Sequence, residues 1–593
     1  MTTAPATTAA PDALDSLGSW RLRPGVTASA LAQGLHVRGW SSAVSMEGSP
    51  ALPALWRMVE EALRADGAAD LAARAPAGTP LRAALCTLIG QLHTQGMLVG
   101  ASTAPADGPA AEWLATVAAR PAEAAAALAA TRVEVRTADR DDPLAPAALR
   151  ALARAGVTAT LAGSREPAGS GVLLTAARPD GTELAVAALA RPGGAFVTPV
   201  GSPAGAGADA AALRARLGRD GLDGPRAAEA PSGPALTALV AGGAVQRLLC
   251  AVAGLPDPDS EDTAEEAGAG ASPRLRTALV AAEDPPHAAY HPWLGGPPAP
   301  QPPPGTLAEA LAGVEALGDE HLGPLPAPGT GSLPQLPVAL VECAAPGGGR
   351  LTAGGARADL ARLDALCRAA ELRLGAGRSG VVVGAGPGHA LGRALRRAAL
   401  ARPLPVGAAA PWNPYGAGHA QARHWWTALT GRLGVRAELT LTPLDTAEAA
   451  FRAEVRGGRD GRLLGQAVEA TAGDAAAFAT LAALARVQAG TPDPTDRHFT
   501  SAGGELCALA VAGIAAAPWE DENWSAGWWA RVAGREAALQ DSLRRLTGLS
   551  ARPWAPDGPD TRAVLTALRA CGFTALETGA PATDAPDTEG ESR

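Results

Sequence analysis

Residues 34–48 predict two short β-strands, and this stretch most constrains how the first hundred residues fold. Leu35 and Val37 alternate with polar neighbours, and Val44 and Met46 do the same in the second run. Glycines stand at both ends of the stretch and between the two runs. Alternation with a period of two, bounded by glycine, is typical of half-buried strands joined by a tight turn.

Three helices are predicted behind these strands. Ser49 is a suitable N-cap, and Thr79 followed by Pro80 starts another helix in the same manner. Each long helix has apolar residues at helical spacing. The first stripe comprises Leu52, Leu55, Trp56, Val59 and Leu63, and the second Leu81, Leu85, Leu88, Ile89 and Leu92. Two strands followed by three helices predict a winged-helix-like unit.

The chain of 593 residues is too long for a single hydrophobic core, so we expect about three domains. Strands and helices alternate after the first module, which predicts a mixed α/β protein (α+β). The expected division is a disordered tail at 1–18, the winged-helix-like module at 19–100, an α/β domain at 101–260, an acidic and proline-rich linker at 261–305, a large α/β domain at 306–580 and a disordered tail at 581–593.

The chain contains no lysine, because all 50 residues in the lysine-plus-arginine count are arginine. A P-loop needs a lysine on the phosphates, and a protein kinase needs its strand lysine. Schiff-base and pyridoxal chemistry also need the amine. The composition therefore excludes all of these classes.

The net charge of −9 argues against general nucleic-acid binding. The first module has the opposite sign of net charge, since residues 20–100 carry seven arginines and five acidic residues. A mildly basic module in an acidic chain favours an acidic ligand, and a chance fluctuation explains the same count equally well.

Six cysteines are scattered without a CxxC pair, so a zinc ribbon is not expected, and most lie in apolar runs typical of buried positions. The first residues lack the basic and apolar regions of a signal peptide. No apolar run is long and pure enough to suggest a membrane span. We expect a cytoplasmic chain that does not contact a membrane.

Three stretches of the sequence offer candidate chemical sites, and each also has a simpler structural interpretation. The run Gly384–Gly388 follows a predicted strand and precedes a helix, where a phosphate cradle can form, but Pro387 lacks an N–H donor. A tight turn is the favoured interpretation.

His419 and His424 are five residues apart, which does not place two metal ligands on one helical face. Residues 520–522 (Glu-Asp-Glu) are interpreted as a helix start rather than as catalytic carboxylates. We therefore predict no catalytic residue, no metal site and no cofactor.

The first module resembles the PqqD-like RiPP recognition element, a winged-helix-like fold that binds leader peptides of ribosomally made, modified peptides. The residues that carry this resemblance are GLHVRG (34–39), the run 44–63 and the helix end LHTQGMLVG (92–100). The segments 333–342, 362–375 and 463–489 extend it toward the F protein, or ocin-ThiF-like protein, of thiazole/oxazole-modified and thiopeptide pathways. In that family the leader-binding module is fused to a degenerate E1/ThiF-like domain, and the protein delivers the precursor to a separate YcaO cyclodehydratase.

Two departures qualify what this resemblance implies. Residues 101–260 lack the glycine loop and the cysteine pairs of active E1 enzymes. Residues 362–375 resemble the ATP-binding helix of YcaO proteins, but Arg368 stands at a glutamate position, Leu372 at an arginine position, and only Glu371 remains. An arginine in place of a carboxylate repels the Mg²⁺ that such a site holds. A YcaO-like third domain would then not hydrolyse ATP.

The resemblance implies that a leader segment adds as a strand to the module edge at Ala43–Met46, facing the third helix. The expected peptide-binding residues are Arg38, Ala43, Val44, Ser45, Met46, Leu81, Arg82, Leu85, Leu88 and Leu92. Arg38 or Arg82 would meet acidic leader residues, and some of the leucines must serve the core instead. The expected partners are the leader peptide and a YcaO-type cyclodehydratase, without nucleic acid, and a homodimer is left open.

Two other functions stay open. The chain could be a self-contained ATP-dependent cyclodehydratase with a catalytic third domain. It could also be a winged-helix DNA-binding regulator, which the acidic composition disfavours.

Overall fold

The computed structural model divides the chain into two compact units, Met1–Tyr290 and His291–Arg593. The structure describes residues 14, 19–64, 68–100, 108–163, 171–178, 180–218, 232–260, 275–295, 301–375, 380–404, 408–416, 418–444, 450–458, 461–490, 498–501, 503, 523–556 and 558–579. The chain is a mixed α/β protein, as its sequence predicts. The predicted terminal tails lie outside the described residues except for Leu14, which is buried.

The first part of unit one is a small module of strands and helices. Its strands are β1 (Trp20–Leu22), β2 (Thr27–Leu31), β3 (Gly34–Arg38), β4 (Ala43–Glu47) and β5 (Leu98–Gly100), and its helices are α1 (Leu52–Arg64), α2 (Ala68–Arg74) and α3 (Pro80–Thr94). β2, β3 and β4 form an antiparallel sheet in that order, and β1 pairs with β5. A side chain at Gly34 would collide with the Met46 carbonyl oxygen, which explains the glycine at the start of β3.

Local sequence signals explain these elements. The Thr79 hydroxyl accepts a hydrogen bond from the Arg82 N–H, and Pro80 occupies the first turn of α3, as predicted. α1 begins at Leu52, and the Ser49 hydroxyl instead accepts from the Ala51 N–H at 3.2 Å. The apolar stripes of both helices and the inner residues of β3 form one core.

A seven-stranded sheet forms the rest of unit one. Its elements are α4 (Ala111–Val117), α5 (Pro121–Ala130), β6 (Arg132–Thr137), α6 (Leu144–Arg154), β7 (Thr158–Gly163), β8 (Val172–Ala177), β9 (Glu183–Arg191), β10 (Gly194–Val197), α7 (Pro203–Leu217), α8 (Pro234–Val252), β11 (Thr277–Glu283) and β12 (Pro286–Pro292). The strand order is β12-β11-β10-β9-β8-β6-β7. Only β6 and β7 pair in parallel among the neighbours whose register is known, with α6 as their crossover.

Helices cover both faces of this sheet. Val186 and Ala188 of β9 belong to the core that contains α6 and α8, whereas Ala185 and Ala187 pack with α7. A strand buried on both faces reads as a continuous apolar run, which is how β9 appears in the sequence.

α8 is the one described helix that is long and apolar enough to cross a membrane. Of its most apolar window, 61% is buried inside the protein. Its apolar residues pack in the core against the sheet, as expected for a core helix.

The predicted linker at 261–305 is wrong for residues 277–292, because β11 and β12 lie there and extend the sheet. The apolar centre of β11, Ala278–Ala281, is buried and pairs with β10. Proline and acidic residues on both sides of this short strand give the whole segment the composition of a linker, so the strand is not recognised from the sequence.

Unit two contains three sheets and the remaining helices. Its elements are α9 (Leu307–Leu317), β13 (Ala339–Ala344), β14 (Arg350–Gly355), α10 (Ala358–Gly375), β15 (Val381–Gly384), α11 (Pro387–Ala401), β16 (Ala410–Pro411), α12 (Ala420–Thr427), β17 (Ala437–Pro443), β18 (Phe451–Gly457), β19 (Arg462–Glu469), α13 (Ala472–Gln488), β20 (Phe499–Ser501), α14 (Asn523–Thr547), β21 (Ser550–Pro553), α15 (Pro559–Ala570) and β22 (Thr574–Gly579). The sheets are β13-β14-β20, β15-β22-β21 and β16-β17-β18-β19.

The helical segment after residue 419 changes its geometry part-way. α12 ends at Thr427, and a π-helical turn, Ala428–Arg432, follows it. α10 and α11 flank the short strand β15 and bring their polar residues together in the interior.

Candidate peptide-binding site

β4 lies at the edge of the module's sheet, and its outer backbone groups are open. Gly39 donates to the Ser42 carbonyl at 2.8 Å, and Gly48 donates to the Gln33 carbonyl at 2.9 Å, so both ends of the ladder between β3 and β4 are fixed. Hydrogen-bonded pairs alternate along an antiparallel ladder. The N–H and C=O groups of Ala43, Ser45 and Glu47 therefore point away from β3, and no described strand pairs with them.

The inner face of β4 is apolar and partly accessible. Val44 pairs with Val37, and Met46 pairs with Leu35, so all four side chains share one face of the sheet. Leu35 and Val37 are buried, whereas Val44 and Met46 are half-buried against the core. An added strand would find apolar side chains beside an unpaired backbone edge.

The β3–β4 connection fixes this edge beside the end of α3. The Ser42 hydroxyl donates to the Gln95 carbonyl at 2.6 Å, and Gln95 is the C-cap of α3. Trp40 stands at the turn with 60% of its surface exposed. On the outer face the His36 imidazole Nδ1 and the Ser45 hydroxyl are hydrogen bonded at 2.9 Å.

The structure separates nine of the ten predicted binding residues into two groups. Residues with accessible side chains are Arg38, Ala43, Val44, Ser45, Met46 and Leu81. Leu85, Leu88 and Leu92 are at most 1% exposed and form the core. The sequence cannot separate these groups, because a helical stripe looks the same whether its leucines face a core or a ligand.

Arg82 has a structural position. Its side chain is 9% exposed, and one guanidinium nitrogen donates to the Ala75 carbonyl at 3.1 Å. It ties α3 to the end of α2. Arg38 is exposed and has no ion-pair partner within the described ranges, so it is the better placed of the two arginines for an acidic ligand.

Unit two buries a carboxylate among arginines. Glu371 of α10 is 3% exposed, and its oxygens lie 3.1 Å from Arg368, 2.8 Å from Arg397 and 3.5 Å from Arg393. Burial alone would raise the carboxyl pKa, but Arg397, Arg393 and Arg368 outweigh it and lower the pKa of Glu371 to about 2. Glu371 also accepts from the Val383 N–H at 3.1 Å. Its lone pairs are therefore occupied by protein donors, which leaves little capacity for a metal ion.

One further buried pair and one buried triad add to this network. Arg393 is paired with Asp364 at 2.6 Å, and both side chains are at most 1% exposed. Arg396 contacts Glu469 and Glu536, with both oxygens of each carboxylate within 3.0 Å. Four arginines therefore meet four carboxylates, and the network neutralises its own charge.

The Gly384–Gly388 run forms a tight turn, the interpretation favoured by the sequence. A side chain at Gly384 would lie 2.4 Å from the Ala390 nitrogen. The Ala385 N–H donates to the His389 Nδ1 at 3.1 Å, and the Gly386 N–H donates to the Gly384 carbonyl. Loop donors that a phosphate would need are thus used inside the turn.

His389 is fully buried, and it stays neutral. Burial, with help from Arg393, Arg396 and Arg397, lowers the pKa of its imidazole well below the usual value. A neutral ring is required for Nδ1 to accept the Ala385 hydrogen bond.

The connection after β6 carries aspartates where a nucleotide-binding loop would have glycines. Asp139 accepts from the Asp141 N–H at 3.0 Å, and Asp142 accepts from the Leu144 N–H at 2.9 Å at the start of α6. Carboxylates at this position repel phosphate. Residues 101–260 also lack the glycine loop with which active E1 enzymes bind a nucleotide.

His419 and His424 do not converge. His419 is the N-cap of α12, accepting from the Ala422 N–H at 3.2 Å, and its Nε2 lies 3.2 Å from Asp474. His424 is exposed beside Trp425. The predicted acidic cluster at 520–522 lies outside the described residues.

Three buried cysteines are poor nucleophiles. Burial raises the pKa of Cys343 to about 11 and those of Cys367 and Cys571 to about 12. These thiols stay protonated at neutral pH. Cys250 is also buried, Cys86 is half-buried, and Cys507 lies outside the described residues.

No protein-family model matches the sequence, and no curated protein sequence matches it. Two solved structures are similar along nearly the whole chain. A structure described as "Heterocyclase in complex with substrate and Cofactor" has a TM-score of 0.43 and 12% identity, covering 95% of this chain and 94% of that chain. The heterocyclase TruD has a TM-score of 0.39 and 11% identity with the same coverage. Neither likeness is close enough to carry an argument about function.

Proposed function

We propose that the chain binds the leader peptide of a ribosomally made precursor and presents it to a partner YcaO cyclodehydratase, which forms azoline heterocycles. The observation that carries the proposal is the open edge of β4. Ala43, Ser45 and Glu47 offer outward backbone groups, and the half-buried Val44 and Met46 lie beside them.

The leader would add as a fourth strand beside β4. Its backbone would pair with Ala43, Ser45 and Glu47, which supplies affinity for any extended segment. Specificity would come from the leader's side chains, which alternate between the two faces of the extended sheet. Leader side chains on the inner face would pack on Val44 and Met46, and acidic leader side chains on the outer face would meet Arg38.

α3 contributes less to this surface than the sequence suggests. Leu85, Leu88 and Leu92 support the sheet from within the core, and Leu81 is the leucine of the predicted set with an accessible side chain. The site we propose is therefore the β4 edge with Arg38, bounded by the end of α3 at Gln95.

The buried network of unit two favours a non-catalytic role over a self-contained cyclodehydratase. ATP hydrolysis in such an enzyme needs carboxylates that are free to hold Mg²⁺. Glu371, the remaining carboxylate of the YcaO-like helix, is bound by Arg368, Arg393 and Arg397. Activation of the amide would then fall to the partner enzyme.

Binding and presentation are tested separately. A fluorescein-labelled leader peptide, from the precursor encoded nearest this chain, should raise its fluorescence anisotropy saturably with the full-length chain. Loss of water from the precursor, followed by mass spectrometry, should require both this chain and the neighbouring YcaO protein. Water loss with ATP and this chain alone would instead establish the self-contained enzyme.

A further inference from the structure

A groove runs along α12 in unit two and consists of two adjoining cavities. A cavity of about 300 Å³ lies at the start of the helix, between His419, Asp474 and α14. A second, of about 380 Å³, lies along its side between Arg423 and Arg432. Ala420 lines both cavities, so we treat them as one surface, the α12 groove.

Among the described residues, Asp474 is the one carboxylate that lines the α12 groove, and its oxygens are already bound by protein donors. Asp474 is 2% exposed and accepts hydrogen bonds from Thr471 at 2.6 Å and from Trp528 at 2.7 Å. His419 and Arg535 each lie 3.2 Å from its oxygens. These donors keep Asp474 ionised and leave it no lone pair for a further cation.

Arginines dominate the rest of the lining. Arg423, Arg432 and Arg531 are exposed, and none has a hydrogen-bond or ion-pair partner within the described part of the chain. Counting only the described lining residues, these three and Arg535 place four guanidinium groups against the one carboxylate of Asp474, an excess of three positive charges.

The sequence around α12 is depleted in acids. The chain has 59 acidic residues among 593 and a net charge of −9, yet residues 372–437 contain none. That stretch contains nine arginines: Arg373, Arg378, Arg393, Arg396, Arg397, Arg402, Arg423, Arg432 and Arg436. Arg393, Arg396 and Arg397 serve the buried network, whereas Arg423 and Arg432 face the groove.

We propose that the α12 groove binds an acidic peptide segment of a partner protein. Carboxylates of that segment would pair with Arg423, Arg432 and Arg531, since guanidinium groups bind carboxylates through two parallel hydrogen bonds. A short segment needs only the local positive field, whereas a long nucleic acid would also meet the negative charge of the whole chain. The indole that lines the groove, Trp528, is 3% exposed, so it offers no platform for stacked bases.

The test uses the full-length chain and a fluorescein-labelled octaglutamate peptide. Anisotropy should show saturable binding that weakens as salt is added. The double variant Arg423→Gln/Arg432→Gln should bind about tenfold more weakly or worse, because two charge-assisted contacts are lost. Arg150→Gln/Arg154→Gln on the exposed side of α6 makes the same charge change elsewhere and should bind like the unmodified chain.

A second variant tests the other cavity. Arg531→Gln on α14 should also weaken octaglutamate binding while leaving the circular dichroism spectrum unchanged, since Arg531 is exposed. Equal affinity of the groove variants and the α6 variant would overturn the proposal. Failure of the unmodified chain to bind octaglutamate would overturn it too, as would displacement by an oligothymidylate of eight nucleotides as effective as that by unlabelled peptide. Leader binding at β4 should be unaffected by these variants, so the two sites are tested independently.

Discussion

The β4 edge and the Glu371 network differ in whether their polar groups already have partners within the protein. At the edge, the backbone groups of Ala43, Ser45 and Glu47 are open to an incoming strand. In the network, Glu371 has protein donors on both oxygens. An unpaired edge keeps binding capacity at the surface, whereas a buried charge is tolerated only when its partners are already in place. The difference separates a surface suited to recognition from a buried ion-pair network that serves the fold.

The largest effect is expected from breaking the network. Glu371→Gln retains an acceptor for the Val383 N–H but removes the charge that offsets Arg368, Arg393 and Arg397. Removing one partner of a buried ion pair typically costs about 3–5 kcal/mol. Urea unfolding, followed by tryptophan fluorescence, to which the buried Trp528, Trp529 and Trp554 of unit two contribute, should show a shifted transition.

Glu577→Gln is the matched control for that variant. Its pair with Arg552 is exposed on both sides, with side chains 43% and 78% accessible, so its loss should cost less than about 1 kcal/mol. An unchanged transition for Glu371→Gln would mean that the network does not stabilise unit two. Mg²⁺-dependent ATP hydrolysis by the unmodified chain would contradict our interpretation of Glu371.

Acid should weaken the same network in the unmodified chain. The Glu371 carboxyl has a pKa of about 2 when folded against an ordinary value of 4.5. A lowered folded pKa gives stability that is fully present above about pH 4.5 and is lost as the pH falls toward 2. Comparing urea midpoints of the unmodified chain and Glu371→Gln over this range should show the difference between them shrinking. A difference in urea midpoint that stays constant from pH 4.5 toward pH 2 would contradict the lowered pKa of Glu371.

At the edge, Ser45→Pro should weaken leader binding by about ten- to a hundredfold. The change removes one outward N–H and places a ring where the added strand would lie, while proline is tolerated at a sheet edge. Fluorescence anisotropy with labelled leader measures the effect. Ala30→Pro is the control, because its N–H points away from β3 on the opposite edge, at β2. Equal affinities of the two variants would exclude β4 as the binding edge.

The smallest effect is expected at Arg38. Arg38→Gln should weaken leader binding by about two- to fivefold and reduce its salt dependence, since an exposed charge pair contributes less than about 1 kcal/mol. Arg57→Gln on α1 removes the same charge from another exposed position of the module. If both variants lost affinity equally, the net charge of the module rather than Arg38 would be responsible.

The sequence predicted local elements better than it predicted which side chains reach solvent. Alternation identified β3 and β4, and Thr79-Pro80 identified the start of α3, because these signals depend on near neighbours. The burial of Leu85, Leu88 and Arg82 depends on where β3, α1 and α2 pack, which lies outside any short window. β11 was missed because its apolar centre is short and its flanks have the composition of a linker.

The Glu371 network also depends on contacts that no short window of sequence can predict. Arg368 could be recognised as an unusual residue on α10, since it replaces an acid in the pattern that residues 362–375 resemble. The other members of the network could not, because Arg393 and Arg397, which contact Glu371, come from α11, and Glu469, which pairs with Arg396, comes from β19. Contacts between residues so far apart in sequence arise only when the helices and sheets of unit two pack.

The open edge at β4 also carries a risk of self-association. An exposed strand edge is a template for any extended chain, including a second copy of the same strand. Glu47 is the single charged residue of β4. A charged side chain on an edge strand opposes such pairing, because an added strand would partly remove it from water. On the proposed function, a bound leader would occupy this edge, so the same peptide would also protect the protein from self-association.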